Sequence, residues 1–365
     1  MTVERDVESR EHTLLKYVRL VHNPLPEADL DDVSLEKEFC GHKLEVPLMI
    51  TGMTGGHPET GKINHKIGIL AEKYGLAVGV GSQRAAIEKP EVANTFRAMR
   101  EAAPNAFIVA NLGAPQLSKG YGVREARKAV EMIDADAIAI HLNVGQELFQ
   151  AEGDPYYSRV IEKIVEIADS LDVPVIVKET GAGLSRETVR TLYRLGISCF
   201  DVSGLGGTSW IKVEGIRSLG TGHPTPGELS DYWGNPTALA VIEARASAPG
   251  AYIIGSGGIR TGLDVVKVLA LGADLAGIAL PILKVLIKGG LEAASKYLET
   301  LIYQIKASIL MAGGRRPEDL WRAPLTLWGR LREEAEARGI DTVEYLSRTR
   351  LQPLLVRSGW LPMKS

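Results

Sequence analysis

Short, nearly unbroken apolar runs alternate along the chain with longer segments whose apolar positions recur at helical spacing. The runs are Val46–Thr51, Leu76–Val80, Ala106–Asn111, Ala137–His141, Val173–Glu179, Ser198–Gly204, Ala251–Gly258 and Leu275–Leu280. Few alternate apolar with polar positions, so they read as strands covered on both faces rather than strands with one wet face. Between them the spacing predicts a helix ending near Tyr74 and others around Val92–Ala102, Val123–Ile133, Tyr157–Leu171, Arg186–Leu195, Thr237–Ala246 and Leu263–Leu271. Strands alternating with helices imply right-handed βαβ crossovers and a parallel sheet. Eight such units is the number that closes a (β/α)8 TIM barrel.

The predicted organisation is a barrel over residues 44–300, a polar leading segment at 1–43 and a helical tail of mixed charge at 301–365. The tail either caps the barrel bottom or mediates assembly. A doubly wound open sheet is the rival, and it normally carries GxGxxG after its first strand. The turn at Gly52–Gly56 reads GMTGG, which lacks that spacing.

Composition narrows the function. Hydrophobic residues make up 45% and charged residues 24%, so a sizeable core is expected. A net charge of −3 and 6% aromatics give neither the basic footprint nor the stacking surface of a nucleic-acid binder. The most hydrophobic window, Val265 to Ile287, holds Lys267, Asp274, Lys284 and Pro281, and so reads as buried helix, strand and helix rather than a membrane span. The opening MTVERDVESREH has no apolar signal core. Two cysteines, Cys40 and Cys199, without metal-ligand spacing fit a reducing compartment and read as small buried hydrophobes. A soluble cytoplasmic protein is expected.

Chemistry clusters where the runs end, and in a parallel barrel those carboxyl ends form the floor of the active site. After Ala137–Ile140 come His141, Asn143, Gln146 and Glu147 in quick succession. A lone carboxylate such as Glu147, helped by phosphate oxygens and water, is how Mg²⁺ is usually held, although a salt bridge is the plainer reading of one Glu. His141 is either a proton donor or a phosphate-contacting imidazole. The glycines of IIGSGGIRTGLD (Ile253–Asp264) and the turn at LAGIALP (Leu275–Pro281) follow the last two strands, where barrels often bind phosphate at a helix N-terminus. SGLGGTSW (Ser203–Trp210) adds hydroxyls and amides to the same region. Lys178, ending an apolar strand, either pairs with a ligand anion or electron-rich ring, acts as a Schiff-base amine, or lies on the surface. Arg84, flanked by Ser82 and Gln83, offers a fork for phosphate or for a structural carboxylate. Asn111 places an amide at the end of strand three.

Taken in order, TGMTGG (Thr51–Gly56), GVGSQR (Gly79–Arg84), ANLG (Ala110–Gly113), HLNxxQExxQxEGD (His141–Asp154), VKE (Val177–Glu179), SGxGGT (Ser203–Thr208) and GSGGIRxGLD (Gly255–Asp264) resemble the type 2 isopentenyl-diphosphate isomerases. The resemblance implies an FMN-dependent barrel that interconverts isopentenyl and dimethylallyl diphosphate, using Mg²⁺ and a flavin kept reduced by NADPH. It implies FMN contacts at Gly52, Met53, Thr54, Ser82, Asn111 and Lys178, and a flavin-phosphate site at Ser203, Thr208, Gly258, Ile259, Arg260, Ala279 and Leu280. Ser82, Gln83 and Arg84 would face substrate, as would the catalytic group His141, Asn143 and Gln146, with Glu147 on Mg²⁺. The family opens with an Arg-Lys pair before Glu-His; here the text is ESREH, leaving Arg10 and His12 as diphosphate contacts.

A 1,3-allylic shift adds a proton at one carbon and removes one from another. Gln146 cannot supply a proton to an unactivated alkene, and the resemblance implies that a reduced flavin does. The rival is another FMN barrel oxidoreductase of the 2-hydroxyacid oxidase or dehydrogenase type. Such an enzyme needs a His/Arg pair beyond strand seven, and no His precedes IIGSGGIR. The charged helical tail points to a homo-oligomer, a tetramer or octamer.

Overall fold

The computed structural model describes residues 4–357. Eight parallel strands close into a barrel: β1 (Leu48–Ile50), β2 (Ala77–Gly79), β3 (Ile108–Gly113), β4 (Ala137–Leu142), β5 (Val175–Glu179), β6 (Cys199–Asp201), β7 (Tyr252–Ser256) and β8 (Leu275–Ile278). β8 pairs back with β1, setting Ala276 opposite Leu48 and Ile278 opposite Ile50. All eight predicted runs are strands. They are shorter than the apolar text because Thr51, Val202–Gly204 and Gly257–Gly258 leave the ladder where the chain turns into the top loops.

The surrounding helices are α1 (Pro58–Tyr74), α2 (Asn94–Ala102), α3 (Val123–Met132), α4 (Val160–Ser170), α5 (Arg186–Arg194), α6 (Thr237–Ser247), α7 (Gly262–Ala270) and α8 (Leu280–Met311). Local chemistry fixes their ends. Ser185 Oγ caps α5 by accepting from Thr188 N–H, Thr261 and Asp264 form a capping box on α7, and Gly75 ends α1 in the left-handed conformation at φ 60°. Residue 300 falls inside α8, which bends at Gly290 (φ 71°, ψ −167°) and continues to Met311. No described helix is long and apolar enough to cross a membrane.

Two cores result. Met49, Ala77, Val109, Ala139, Ile176 and Ile254 fill the barrel itself, while outward strand residues such as Ile50, Val78 and Ile108 pack with the helices. The leading segment serves both ends of the barrel. Its hairpin, Lys37–Phe39 paired with His42–Leu44, plugs the bottom: Phe39 is fully buried and stands edge-on to Phe107 and Tyr252, with ring centroids 5.7 and 5.3 Å away. Further upstream, Ser9 N–H donates to Gly207 O (2.9 Å) and Ser209 N–H to Val7 O (2.9 Å), strapping residues 7–9 over the top loops.

The tail packs on the barrel. Trp321 Nε1 donates to Ala273 O, the Tyr345 hydroxyl to Leu271 O, and Arg350 to Ala270 O, all around the turn that leads into β8, while Arg350 also donates to Ala323 O within the tail.

Candidate active site

A cavity of about 300 Å³ opens at the carboxyl ends of the strands. Gly52, Met53 and Thr54 line it beyond β1, Ser82 beyond β2, Asn111 on β3, His141 on β4 and Gln146 just after it, and Lys178 on β5. Ser203, Thr208 and Trp210 come from the loop after β6; Gly258, Ile259 and Arg260 from the loop after β7; Ala279 and Leu280 from the start of α8. Gly52 is required by space, since a Cβ there would collide with the Val80 carbonyl.

A chain of amides sets the state of His141. Gln83 Nε2 donates to Ala129 O (2.9 Å), and Gln83 Oε1 accepts from Asn111 N–H (2.9 Å). Asn111 Nδ2 donates to Val80 O (3.0 Å), which orients its Oδ1 towards His141 Nδ1 at 2.7 Å. His141 therefore carries its proton on Nδ1 and keeps an Nε2 lone pair. Burial, followed by the positive charges of Lys178 and Arg84, pulls its pKa down to about 3, so the imidazole is neutral at physiological pH.

Lys178 is buried and donates to Glu179 O (2.6 Å); its Nζ lies 3.8 Å from Asp201 Oδ2. That oxygen has no hydrogen-bond partner, whereas Asp201 Oδ1 accepts from Ser203 N–H (3.3 Å) and from the Ser256 hydroxyl. Lys178 thus has an internal counterion, which its place at the end of an apolar run did not reveal, and it retains donors for a ligand. Burial raises the Asp201 pKa against the opposing pull of Lys178. Glu179 sits beside it, with Oε2 accepting from the N–H groups of Thr180, Gly181 and Ala182 at 2.5–2.7 Å.

Gln146 Nε2 donates to Glu214 Oε1 (3.2 Å), and Glu214 Oε2 accepts from Arg217 Nη1 (2.7 Å). Glu214 belongs to a short helix, Trp210–Arg217, and its pKa is raised by burial.

The opposite end of the cavity is a glycine cradle. A Cβ at Gly207 would strike Gly258 N, and one at Gly258, whose φ is 69°, would strike Gly206 O. Arg260 lies at its edge, paired with Glu8 of the leading strap, and Lys284 Nζ is 3.7 Å from the same carboxylate.

Six residues with predicted roles lie outside the cavity wall. Gln83 is fully buried and both ends of its amide are spent on backbone groups, so it does not face substrate. Asn143, 2% exposed, donates to Glu147 Oε1 (2.7 Å) and accepts from the Tyr157 hydroxyl (3.2 Å); it holds Glu147 rather than meeting the cavity. Glu147 is buried behind it, with Oε2 accepting from Asp154 N–H (2.7 Å). Arg84 lies 3.8 Å from Asp154, a carboxylate that Lys119 also holds. Arg10 is exposed and pairs with Asp231 at 3.5 Å, and His12 is exposed beside it. Among the described residues no three His, Cys, Asp or Glu side chains converge as a metal site.

Sequence reasoning missed Asp201, Ser256, Glu179 and Glu214. Asp201 had a signal, an acid interrupting the apolar run Ser198–Gly204; Glu214, on an amphipathic stretch outside any run, had none.

The FMN-dependent dehydrogenase family matches residues 147–327. Among solved structures, a mandelate oxidase mutant with a monooxide FMN adduct superposes with a TM-score of 0.62 at 19% identity, covering 87% of this chain and 90% of that one; it shares the fold. An isopentenyl-diphosphate delta-isomerase of Ignicoccus hospitalis is 50% identical over 93% of this chain and 94% of its own. One of Aeropyrum pernix is 61% identical over 98% of this chain and 96% of its own. With identity at this level running almost end to end, the chain belongs to the isopentenyl-diphosphate delta-isomerase family.

Proposed function

We propose that the protein converts isopentenyl diphosphate to dimethylallyl diphosphate by a 1,3-allylic proton shift, with FMN in the cavity, NADPH as its reductant and Mg²⁺ on the diphosphate. The observation that supports this reading is the convergence, in one cavity, of the glycine backbone at Gly257 and Gly258 with His141, held by Asn111, and Gln146, held from outside by Glu214.

The residues present fit a flavin mononucleotide. The close backbone at Gly207 and Gly258, with Ser203, Thr208, Ile259, Arg260, Ala279 and Leu280, would hold its phosphate. Gly52, Met53, Thr54, Ser82, Asn111 and Lys178 would hold its ring, with Asp201 Oδ2 3.8 Å behind the Lys178 Nζ. When bound, reduced FMN supplies a proton donor and acceptor able to act on an unactivated alkene.

The chain's own part is placement and charge. Gln146 is fixed by Glu214, so its amide is oriented before substrate arrives. His141 enters neutral, contributing a hydrogen-bonding edge and no proton. Glu147, held by Asn143 just outside the cavity wall, accepts one protein hydrogen bond on each oxygen and would be the chain's ligand for Mg²⁺ on the diphosphate. Ser82, which lines the cavity, would meet the diphosphate, and Arg84, Arg10 and His12, which lie outside the cavity wall, are its further proposed contacts.

The test is anaerobic incubation of the purified protein with isopentenyl diphosphate, FMN, NADPH and Mg²⁺. Dimethylallyl diphosphate is the expected product, and Gln146→Ala should keep its flavin while losing turnover. Fully bound, reduced flavin without product would overturn the reading, and flavin reduction by a 2-hydroxy acid would transfer it to the oxidoreductases.

A further inference from the structure

The two cysteines, 159 positions apart, meet at the bottom of the barrel, where Sγ of Cys40 lies 3.8 Å from Sγ of Cys199. Cys199 opens β6 and is 1% exposed, packed in the barrel-filling cluster with Met49, Ala77, Ile176 and Ile254. Cys40 is half-buried at the tip of the bottom hairpin and packs on the same cluster. The thiol of Cys40 has one hydrogen-bonding partner among the described residues, and it is Cys199.

The turn is an unusual place for a cysteine. Phe39 pairs with His42, so Cys40 and Gly41 form a two-residue loop, with φ of 50° and 81°. Positive φ at both positions is the pattern that favours Asn-Gly, Asp-Gly or Gly-Gly. A cysteine there bears the left-handed conformation without a side-chain amide to ease it. What the position gains is a thiol held against the floor of the barrel.

We propose that Cys40 and Cys199 form a reversible disulfide that staples the bottom hairpin to β6. The oxidant is a low-molecular-weight disulfide. The accessible Cys40 thiolate attacks one of its sulfurs, releasing a small thiolate and leaving a mixed disulfide on Cys40. Cys199 then attacks the Cys40 sulfur and expels the second small thiolate. The two cysteine protons pass to the two released thiolates, so the small disulfide is reduced and the two cysteines are oxidised. Burial pushes the Cys199 thiol up, which keeps it protonated and makes it the second group to react. The sulfurs must close from 3.8 Å to a bond of about 2.05 Å, a movement within reach of side-chain rotation at a turn tip.

The full chain, purified reduced, is treated with oxidised glutathione and denatured without reductant. Free thiols should fall from two to none, and a peptide containing Cys40 should be found joined to one containing Cys199. The melting temperature should rise by roughly 5–10 °C and return on adding dithiothreitol, because the bond closes a long loop in the unfolded chain. Cys40→Ala and Cys199→Ala should each abolish the rise, and the turn-tip variant keeps the test readable if the buried one does not fold. Two thiols still titratable, glutathione retained on Cys40, or a bond between two copies of the chain would each overturn the proposal.

Discussion

At the scale of single residues, the site depends on groups whose protonation is set by what surrounds them. His141 shows this most clearly, because its Nδ1 proton is committed to Asn111 and its pKa is lowered to about 3. A histidine with a lowered pKa binds fewer protons folded than unfolded. Stability is therefore full above the ordinary value of 6.5 and falls as the pH drops from there towards about 3. His141→Gln should flatten the fall in urea-denaturation stability between about pH 6.5 and pH 5. The change is at most about 1.4 kcal/mol per pH unit, and less for a ring lining an open cavity. An unchanged slope would mean that the imidazole is already solvated. Glu214 is the second such group: Glu214→Gln keeps an acceptor for Gln146 but leaves Arg217 without its buried counterion. Turnover should drop by about tenfold with flavin affinity unchanged, a split that steady-state kinetics and flavin titration can resolve. These pairings were hidden in the sequence for a physical reason. Ser82, Gln83 and Arg84 look equivalent as text, and only the bonds of Gln83 to Asn111 and Ala129 decide which of them turns away from the cavity.

At the scale of elements, legibility followed burial. Strands covered on both faces need apolar residues at every position, so β1 to β8 announce themselves, and the helices between them carry clear periodicity. The bottom hairpin does not, since its strands are three residues each and its turn replaces Asn-Gly with Cys-Gly. The short helices Val144–Phe149 and Trp210–Arg217 were likewise too brief to show a period. The tail was legible as helix, but its docking was not, because that rests on arginines reaching carbonyls and two buried acids, Glu243 and Asp274. Asp274 joins these elements: fully buried at the start of β8, it accepts from Arg245 (2.9 Å), Arg357 (2.6 Å) and Ile253 N–H (2.9 Å), with Lys37 of the hairpin 3.7 Å away. Burial would raise its pKa, but Arg357, Arg245 and Lys37 overcome that and hold it below the usual carboxylate range. Asp274→Asn removes the buried charge that Arg245 and Arg357 share, while Lys37 keeps Glu318 at 2.7 Å, and should cost about 3–5 kcal/mol in chemical denaturation. A loss under about 1 kcal/mol would show that the cations find other partners or water.

At the scale of the whole molecule, a closed barrel satisfies its strand edges, yet the top face keeps apolar surface in the open. The segment after Trp210–Arg217 wraps over the short helix Val144–Phe149, tied down by Ser218 Oγ donating to Phe149 O (2.9 Å) and by His223 against Leu148 O (3.2 Å). Leu148, Leu219, Leu229, Tyr232 and Trp233 of these pieces all remain exposed, Trp233 by 64%. Contiguous exposed apolar side chains mark an association surface, and aromatics are the side chains most enriched at such contacts. The tail, which the sequence offered either as a cap on the barrel bottom or as a means of assembly, is committed to the barrel through Trp321, Tyr345 and Arg350. If the chain assembles as the tetramer or octamer its sequence leads one to expect, this uncovered face is where its copies would meet. Light scattering during size exclusion should report four or eight chains. Leu229→Asp with Trp233→Asp should lower that mass while leaving the barrel's circular dichroism unchanged, because neither side chain belongs to the core. A single-chain mass for the unaltered protein, or an assembly indifferent to two charges on this face, would remove the top face from any role in association.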